Sequence, residues 1–543
     1  MPGFPRPSRI AAVTLAQIVE VAGGSRSVTI DPGGAADASG VAVTGVTHDS
    51  TQVRPGDLYV ALRGRTRHGA EFADQAVGAG AVAVLTDPAG VQVVRSANGP
   101  AAQVPVLVVE DPRSVLGAVA ARTYGDPTAD LLVIGLTGTA GKTSTSYLVE
   151  SGLAAAGHTT CLIGTVETRI GSEVLDSVHT TPEATDLHAL FAVARERGVT
   201  AAVMEVSSHA LTYGRVGGVQ FDVGGFTNFG QDHLDFHADL ADYFAAKARL
   251  FDGRCRREGL NLDDEAVRSL VRPDSITFSA SGNPAATWRA ENITRSGFTQ
   301  AFTAIHEEHG AVEVTVAMPG RHNVANALLA LACLVAVGVP AKVAAEGIGA
   351  CRGVPGRLEL VGPPEAQAAW PVLGVVDYAH KPDAIAAALA ALREVATGRL
   401  LCVVGAGGDR DRGKRPLMGA AAAREADLVV VTDDNPRSED PATIRAEVLA
   451  GAAAAGGARH GVIEVAGRRS AIVEAVRLAE PGDVIAVLGK GHERGQEIAG
   501  VVTPFDDRVE LAAALRDRFG PPGGWTGSPA GEPGAEPGTE VRP

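Results

Sequence analysis

The sequence lacks the features that would place a protein in or across a membrane. No apolar run approaches the ~20 consecutive residues that a transmembrane helix needs. The N-terminal residues, MPGFPRPSRI, are basic, but the apolar segment that a secretory signal peptide would carry does not follow them. We therefore expect a cytoplasmic protein that has no membrane partner.

Cysteine and positive charge are also in short supply. The five cysteines are scattered along the chain and form no CxxC pair, which argues against a disulfide framework and against a zinc site. The formal net charge of −15 at pH 7 argues against nucleic acid as the main partner. A local basic pocket for a small anion is compatible with this overall charge.

Lysine is the rarest of the charged residues. Six of the 48 basic residues are lysine, and the others are arginine. Because the compact ammonium and the planar guanidinium are not interchangeable, a lysine retained in an arginine-rich chain indicates a position that needs the amine itself. Five of the six lysines lie in the motifs described below.

A glycine-rich loop between a strand and a helix predicts a phosphate-binding site. The apolar run at 131–136 is typical of a buried parallel strand, and Gly138, Gly141, Lys142 and Thr143 follow it. In this layout backbone N–H groups and the helix N-terminus bind phosphate oxygens, the lysine reaches the terminal phosphates, and the hydroxyl reaches Mg²⁺. The usual spacing has glycine where this chain has leucine at position 136. The alternative interpretation is a glycine-rich turn with a solvated lysine.

Two later segments predict ligands for Mg²⁺. Glu205 lies near the carboxyl end of an apolar strand, where open α/β sheets bind ligands, and a carboxylate there is well placed to bind Mg²⁺. His233 and His237 are four residues apart, as in a helical zinc pair, but their surroundings are loop-like and lack an apparent third ligand. We favour a single contact from His233 to Mg²⁺ or phosphate and a structural role for His237.

Lys247 lies on the apolar face of a predicted helix that spans about 239–251. A lysine there can extend along the apolar surface and keep its amine in water. Alternatively the amine is buried, loses its proton and reacts with CO₂ to give a carbamate, which would be an anionic oxygen ligand for a second Mg²⁺. The sequence leaves both interpretations open.

Four predicted strands near the C-terminus end in loops rich in charge, glycine and proline. These strands are at 373–376, 400–404, 428–431 and 484–488. Because the carboxyl ends of parallel strands lie at one edge of a sheet, we expect a second binding site at this edge.

Length and the alternation of strand and helix patterns predict an α/β protein with several domains. At about 150 residues per domain, 543 residues correspond to three or four. We expect a smaller N-terminal α/β domain at 1–128, a central domain with a P-loop ATPase-type parallel sheet at 129–355, and a C-terminal domain with a Rossmann-like sheet at 356–519. Residues 520–543, rich in glycine, proline and glutamate, are predicted to be a disordered tail.

Ten motifs, taken together and in order, resemble the Mur ligase family. They are TGTAGKTS, HTTPEAT, MEVSSHAL, TNFGQDHLDFH, AAKARLF, PGRHNVANALLA, DYAHKPD, GGDRDRGKRP, DNPR and GKGHE. The resemblance covers nearly the whole chain except the termini. It implies a monomeric, ADP-forming amide ligase of peptidoglycan precursor synthesis that uses ATP and Mg²⁺. DNPR is the form associated with diaminopimelate, so the implied reaction adds diaminopimelate to the D-glutamyl carboxylate of UDP-N-acetylmuramoyl-L-alanyl-D-glutamate through an acyl phosphate.

The resemblance also implies roles for individual residues in each predicted domain. The implied contacts to ATP are Gly138, Thr139, Ala140, Gly141, Lys142, Thr143, Ser144, Asn326, Arg357 and Asp377. The implied Mg²⁺ ligands are Thr143, Glu205, His233 and a carbamylated Lys247, of which the last three act in catalysis together with Lys142. The implied contacts to the UDP-muramoyl peptide, in an N-terminal UDP-substrate-binding domain and the central domain, are Ser50, Thr180, Thr181, Ser207 and Arg215. The implied amino-acid site, in the C-terminal domain, comprises Arg410, Asp434, Asn435, Pro436, Arg437, Gly489 and Glu493. Ala140 and Tyr213 depart from the asparagine and glutamine that are commoner in the family.

Two other functions would account for part of the sequence. A folylpolyglutamate-synthetase-like ligase shares the ATP chemistry but lacks a UDP-binding first domain and DNPR. A P-loop switch or transport ATPase predicts a guanine-reading NKxD motif, which is absent from the sequence, and leaves the ten motifs unexplained.

Overall fold

The computed structural model describes residues 4–23, 27–64, 66–96, 99–175, 179–362 and 370–520. The chain divides into two compact units, the first formed by 1–317 with 322–352 and the second by 318–321 with 353–543. Apart from Gly520, the predicted disordered tail lies outside the described residues. Within the described part of the chain, no helix combines the length and the apolar character that crossing a membrane requires.

The N-terminal part of the first unit is a small sheet with helices on both faces. Its strands lie in the order β2-β7-β6-β5-β4, with β2 antiparallel and the others parallel. Leu58 and Val60 pack into a core with the first and fourth helices, whereas Tyr59 packs into a second core with the helices between them. Alternate residues of one strand thus enter two cores, as expected when both faces of a sheet are covered. The elements are β1 Val13–Thr14, α1 Leu15–Gly23, β2 Thr29–Asp31, β3 Ala42–Val43, β4 Gly45–Thr47, β5 Asp57–Val60, α2 Ala73–Gly78, β6 Ala83–Thr86, α3 Pro88–Ser96, β7 Val106–Val108 and α4 Pro112–Thr123.

The remainder of the first unit is organised around one large mixed sheet. Its order is β11-β10-β9-β12-β8-β13-β14-β15-β16-β17-β18, parallel from β9 to β16 and antiparallel at both edges. The predicted parallel sheet is therefore its centre. The elements are β8 Leu132–Thr137, α5 Lys142–Ala155, β9 Thr160–Ile163, β10 Thr168–Ile170, β11 Glu173–Leu175, α6 Ala184–Glu196, β12 Ala201–Glu205, α7 Ser208–Thr212, β13 Phe221–Phe226, α8 Leu240–Ala248, β14 Cys255–Asn261, α9 Glu265–Arg268, β15 Ile276–Ser279, β16 Trp288–Ser296, β17 Thr299–His306, β18 Gly310–Val316, α10 Arg321–Ala336 and α11 Ala341–Ala350.

The position of β8 in this sheet determines what can surround the glycine loop. β8 lies between β12 and β13, and the register pairs Leu136 with Glu205 on one side and Thr137 with Phe226 on the other. The loop that follows β8 is consequently flanked by the carboxyl ends of two parallel strands, where an open α/β sheet binds its ligand.

The second unit contains a doubly wound sheet of the predicted kind. Its order is β19-β20-β24-β21-β22-β23, and all its strands are parallel except β19. The four strands predicted from the sequence are confirmed and lie side by side. The elements are β19 Glu359–Leu360, β20 Leu373–Asp377, α12 Pro382–Arg393, β21 Leu400–Val404, α13 Lys414–Glu425, β22 Leu428–Val431, α14 Pro441–Ala454, β23 Val462–Glu464, α15 Arg468–Leu478, β24 Val484–Leu488, β25 Gly495–Ile498, β26 Val501–Pro504 and α16 Asp507–Phe519.

Candidate active site

The glycine loop after β8 is held in a conformation that requires glycine. Gly138 and Gly141 have φ angles of +141° and +85°, which side-chain-bearing residues rarely adopt. A Cβ at Gly138 would overlap Oγ1 of Thr227 at the end of β13, and a Cβ at Gly141 would overlap Oδ1 of Asn326 in α10. The packing therefore places Asn326, a predicted nucleotide contact, directly against the loop.

Glu205 ends β12 beside this loop and is 1% exposed. Its Oε1 accepts hydrogen bonds from Oγ1 of Thr143 (3.0 Å) and from the N–H of Thr165 (2.8 Å), and its Oε2 accepts one from Oγ1 of Thr165 (3.0 Å). The Thr165 hydroxyl lies 3.0 Å from that of Thr180. Hydroxyl and carboxylate oxygens are the ligands that Mg²⁺ prefers, so Thr143 and Glu205 fit this ion.

Two lysine amines meet at a single backbone carbonyl of the loop. Nζ of Lys142 donates to the oxygen of Gly138 at 2.7 Å, and Nζ of Lys247, from α8, donates to the same oxygen at 2.8 Å. Lys247 is 1% exposed, and its Nζ lies 4.6 Å from the ring centroid of Tyr243. The amine of Lys247 is thus buried rather than directed to water. Two amines at one point of the loop suit the oxygens of a phosphate chain.

His233 lies in an aromatic cluster beside α7. Its ring centroid is 4.8 Å from that of His209 and 5.8 Å from that of Tyr243, and its Nε2 is 3.0 Å from Oδ2 of Asp232. His237 is buried and hydrogen-bonded on both ring nitrogens, which is the geometry of a structural residue. Among the described residues, no three side chains of His, Cys, Asp or Glu are grouped to hold a metal.

Four of the five residues predicted to bind the UDP-muramoyl peptide lie around the end of β12. Oγ1 of Thr181 donates to the carbonyl oxygen of Glu205 (2.8 Å) and accepts from the N–H of Ser207 (3.1 Å). Nη1 of Arg215 donates to the carbonyl oxygen of Thr181 (3.1 Å), and its Nε donates to Oε1 of Glu183 (2.9 Å). Together with Thr180, these residues form one polar cluster.

Ser50, the fifth residue, lies in the loop between β4 and β5. It lies near the side chain of Tyr59, whose pKa burial raises to about 12 and whose hydroxyl donates to the carbonyl oxygen of Gly69 at 2.9 Å. The same loop reaches α6, because Nδ1 of His48 lies 3.1 Å from Oγ1 of Thr185. The N-terminal sheet therefore places Ser50 in a loop that contacts the start of α6, two residues from Glu183.

Two of the predicted nucleotide contacts, Arg357 and Asp377, lie in the second unit near the carboxyl end of β20. Asp377 ends β20 and accepts hydrogen bonds from the N–H groups of Leu358 and Ala379, both at 2.7 Å. Burial raises the pKa of Asp377, and the Arg357 guanidinium opposes this effect. The same guanidinium stacks 4.5 Å above the ring of Tyr378.

The two arginines predicted to bind the amino acid flank one glycine. A Cβ at Gly407 would lie 3.1 Å from Nη1 of Arg437 and 3.9 Å from Cγ of Arg410. Nη1 of Arg437 donates to the carbonyl oxygen of Gly408 at 2.6 Å, and the main chain of Arg437 pairs with β25. Arg410 is exposed, and the Arg437 side chain is 24% exposed with its Nε 3.6 Å from Oε2 of Glu497. Two neighbouring guanidinium groups of this kind can bind a carboxylate.

The loops after β22 and β24 meet beside these arginines. Nδ2 of Asn435 donates to Oε2 of Glu493 at 2.9 Å. A Cβ at Gly489, where φ is +120°, would lie 2.5 Å from Oδ2 of Asp434. Pro436 follows Asn435 in the same loop and is buried. Residues of two motifs that are predicted to bind the amino acid are thus in contact, although more than 50 positions separate them in the sequence.

Two polar residues of the site, Thr165 and Glu183, were not predicted from the sequence. Thr165 donates twice to Glu205, and Glu183 bridges Arg215 and Arg113. Thr165 follows β9 at the same sheet edge as the glycine loop, and that position is the signal that could have identified it.

A strand, a glycine loop and a helix at the centre of a mostly parallel sheet define a nucleotide-binding protein of the phosphate-binding-loop class. Family models narrow this class. The Mur ligase middle domain matches residues 136–334, the Mur ligase glutamate ligase domain matches 356–491, and the Mur ligase family catalytic domain matches 42–124. The chain belongs to the Mur ligase family.

Individual relatives match nearly the whole chain. The UDP-N-acetylmuramoyl-L-alanyl-D-glutamate--2,6-diaminopimelate ligase of Streptomyces avermitilis is 51% identical, with 96% of this chain and 99% of the relative covered. The ligase of the same name from Corynebacterium glutamicum is 47% identical, with 88% and 92% covered. A solved structure of a ligase of this name has a TM-score of 0.65 at 30% identity and covers 94% of this chain and 99% of its own.

Proposed function

We propose that this chain is an ATP-dependent ligase that joins diaminopimelate to the D-glutamyl carboxylate of UDP-N-acetylmuramoyl-L-alanyl-D-glutamate. The observation that carries the proposal is the cluster at the glycine loop, where Thr143 contacts Glu205 and the amines of Lys142 and Lys247 meet at Gly138. The names of relatives up to 51% identical support the choice of substrates. Neither the family models nor these relatives favour the folylpolyglutamate-synthetase-like alternative.

The proposed reaction has two chemical steps. The γ-phosphoryl group of ATP moves to the carboxylate and gives an acyl phosphate and ADP. The amine of diaminopimelate then attacks the acyl carbon, a C–N bond forms, the C–O bond to phosphate breaks, and phosphate and a proton are released. The first step depends mainly on positioning and on electrostatic stabilisation of the phosphates. Lys142 supplies a positive charge, and the loop N–H groups supply hydrogen-bond donors. Mg²⁺ bound by Thr143, Glu205 and His233 would neutralise charge on the phosphate oxygens.

A carbamate on Lys247 is part of the proposal. Carbamylation would keep one N–H on Nζ, which can still donate to Gly138, and would add oxygens that bind a second Mg²⁺. We expect Lys247→Ala to be inactive and to regain activity when short-chain carboxylic acids are added. Full activity of the variant without any acid would refute the carbamate.

The amino-acid site explains how the enzyme would select diaminopimelate. Arg410 and Arg437 would bind the carboxylate at the far end of the amino acid. Lysine lacks this carboxylate and would forgo its charge-assisted hydrogen bonds with the two arginines, so we expect discrimination against it.

The direct test is phosphate release from ATP in the presence of the UDP-linked dipeptide. Meso-diaminopimelate, LL-diaminopimelate and L-lysine are supplied in parallel. Release with only one diaminopimelate isomer would support the proposal and identify that isomer. Release with lysine alone would contradict the role of DNPR, and no release with any amine would refute the ligase proposal.

The proposal also includes the roles of the domains and the state of the protein. Residues 1–128 would bind the UDP substrate, 129–355 would bind ATP, and 356–519 would bind the amino acid. Matches of the family models to 42–124, 136–334 and 356–491 fall within these bounds and support them. We further propose a cytoplasmic monomer, for which light scattering at micromolar concentration is the test of mass.

A further inference from the structure

Lys490 is a buried charge to which the proposed reaction gives no role. It is one of only six lysines in the chain, and its side chain is 0% exposed. Burial of an ammonium is costly unless each of its charges and donors finds a partner. The hydrogen-bond partners of Lys490 therefore indicate the role of this residue.

The amine of Lys490 completes a ring of hydrogen bonds that joins three side chains. Its Nζ donates to Oδ1 of Asn435 and to Oε2 of Glu493, both at 3.0 Å. Nδ2 of Asn435 donates to the same Oε2 at 2.9 Å. The N–H of Glu497 also donates to Oδ1 of Asn435, at 3.1 Å. The ring joins the loop after β22 to the loop after β24.

The ring fixes the orientation of two groups that face the amino-acid site. With Nζ and the Glu497 N–H on its oxygen, the amide of Asn435 has one orientation. Oε2 of Glu493 is occupied by two donors, while the side chain is 32% exposed. Within the described residues, no hydrogen bond to its Oε1 is formed. That oxygen is consequently the one that an incoming ammonium group can reach.

We propose that Lys490 is a positioning residue that holds Glu493 and Asn435 for the ammonium group of the amino-acid substrate. This inference rests on the proposed function. An ammonium suits the position because its donors diverge from one atom and reach both partners at 3.0 Å. A planar guanidinium at the end of a longer side chain would not fit the same enclosed point.

The inference predicts a selective defect in Lys490→Met. Loss of a hydrogen bond to a charged group should raise the KM for diaminopimelate about tenfold or more. The KM for ATP should stay within about twofold of the wild-type value. Formation of the acyl phosphate, trapped by hydroxylamine as a hydroxamate without diaminopimelate, should also stay within about twofold. Lys342→Met, which removes an exposed lysine from α11 in the other unit, is the control and should change none of these values.

A double-mutant cycle tests whether Lys490 acts through Glu493. In a Glu493→Gln background, the added Lys490→Met change should raise the KM for diaminopimelate much less than it does in the wild type. Equal effects in both backgrounds would overturn the inference. Equal losses of diaminopimelate turnover, ATP binding and hydroxamate formation would also overturn it, because they would indicate a merely structural role.

Two further outcomes keep this inference separate from the proposed function. Wild-type protein that releases no phosphate with any diaminopimelate isomer would refute the proposed function, and with it the inference. Active wild type with an unchanged KM for diaminopimelate in Lys490→Met would refute the inference alone. If Lys490→Met does not fold, Lys490→Gln, which removes the charge and shortens the side chain, is measured by the same criteria.

Discussion

Asp507→Asn should destabilise the second unit far more than a matched change one helical turn away. Asp507 and Arg468 are both 0% exposed, and two hydrogen bonds of 2.6 and 2.7 Å join them. Arg468 also donates to the carbonyl oxygens of Leu488 and Asp433, at 2.9 and 3.3 Å. The pair therefore supports the two loops that follow β22 and β24.

The size of the effect follows from the burial of the arginine. Removing one partner of a buried ion pair leaves an uncompensated charge and costs about 3–5 kcal/mol. For a unit of ~150–250 residues, each kcal/mol lowers Tm by about 2–4 °C. We therefore expect a Tm about 6–20 °C below that of the wild type for the transition of this unit.

Glu510→Gln is the matched control. Glu510 pairs with Arg469, so the same two helices, α15 and α16, carry a second ion pair. Arg469 is 67% exposed, and exposed pairs contribute about 0–1 kcal/mol. Differential scanning calorimetry of both variants measures the difference directly.

Two results would refute this reasoning. Equal Tm shifts for Asp507→Asn and Glu510→Gln would mean that burial does not determine the contribution of the pair. The double variant Arg468→Met with Asp507→Leu should recover much of the lost stability, because it removes both charges. A double variant less stable than Asp507→Asn would contradict the charge-based explanation.

Three further predictions concern the first unit. Glu205→Gln should lower ATP-dependent phosphate release roughly 10²–10³-fold while Tm changes little, and a rate near the wild type would exclude the carboxylate from the site. Gly141→Ala should lower the free energy of unfolding by about 1–2 kcal/mol, because position 141 lies in the left-handed backbone region, and should raise the KM for ATP by displacing Asn326. Gly157→Ala, at φ +89° with open space around it, should lower the free energy of unfolding to a similar extent without changing the KM for ATP. His188, whose pKa burial lowers to about 4, binds a proton near pH 6.5 in the unfolded chain, so the free energy of unfolding should fall by up to about 3 kcal/mol between pH 6.5 and 4. In His188→Gln, urea unfolding at several pH values should show a smaller pH dependence, and an unchanged dependence would rule out this histidine as the cause.

The strands of the second unit were predictable because each is a short apolar run between polar turns. Leu400–Val404, Leu428–Val431 and Val484–Leu488 have the bounds expected from the sequence. The edge strands β16, β17 and β18 were not predicted. Buried and exposed residues alternate over only part of β16 and β18, and the polar content of these strands resembles that of a loop. Their pairing follows from two antiparallel turns at the sheet edge, which a local pattern does not specify.

The glycine loop likewise has features that the sequence predicts and features that it does not. Its residue types and spacing predict phosphate binding, because glycine, lysine and threonine in that order have few other uses between a strand and a helix. The neighbours of the loop could not be predicted in this way. Thr165 reaches Glu205 only because β9 and β12 are adjacent in the sheet.

The chemistry of each strand end and the order of the motifs depend on residue type and local spacing, so they can be read from the sequence alone. Which atoms meet depends on the packing of elements that are distant along the chain. Whether the Lys247 amine reaches water or the Gly138 carbonyl depends on how α8 packs against the loop. Whether Lys490 serves Asn435 and Glu493 depends on β22 and β24 ending at the same edge of the sheet. Such contacts join residues that are tens of positions apart, and their geometry arises from strand order and packing rather than from any local pattern.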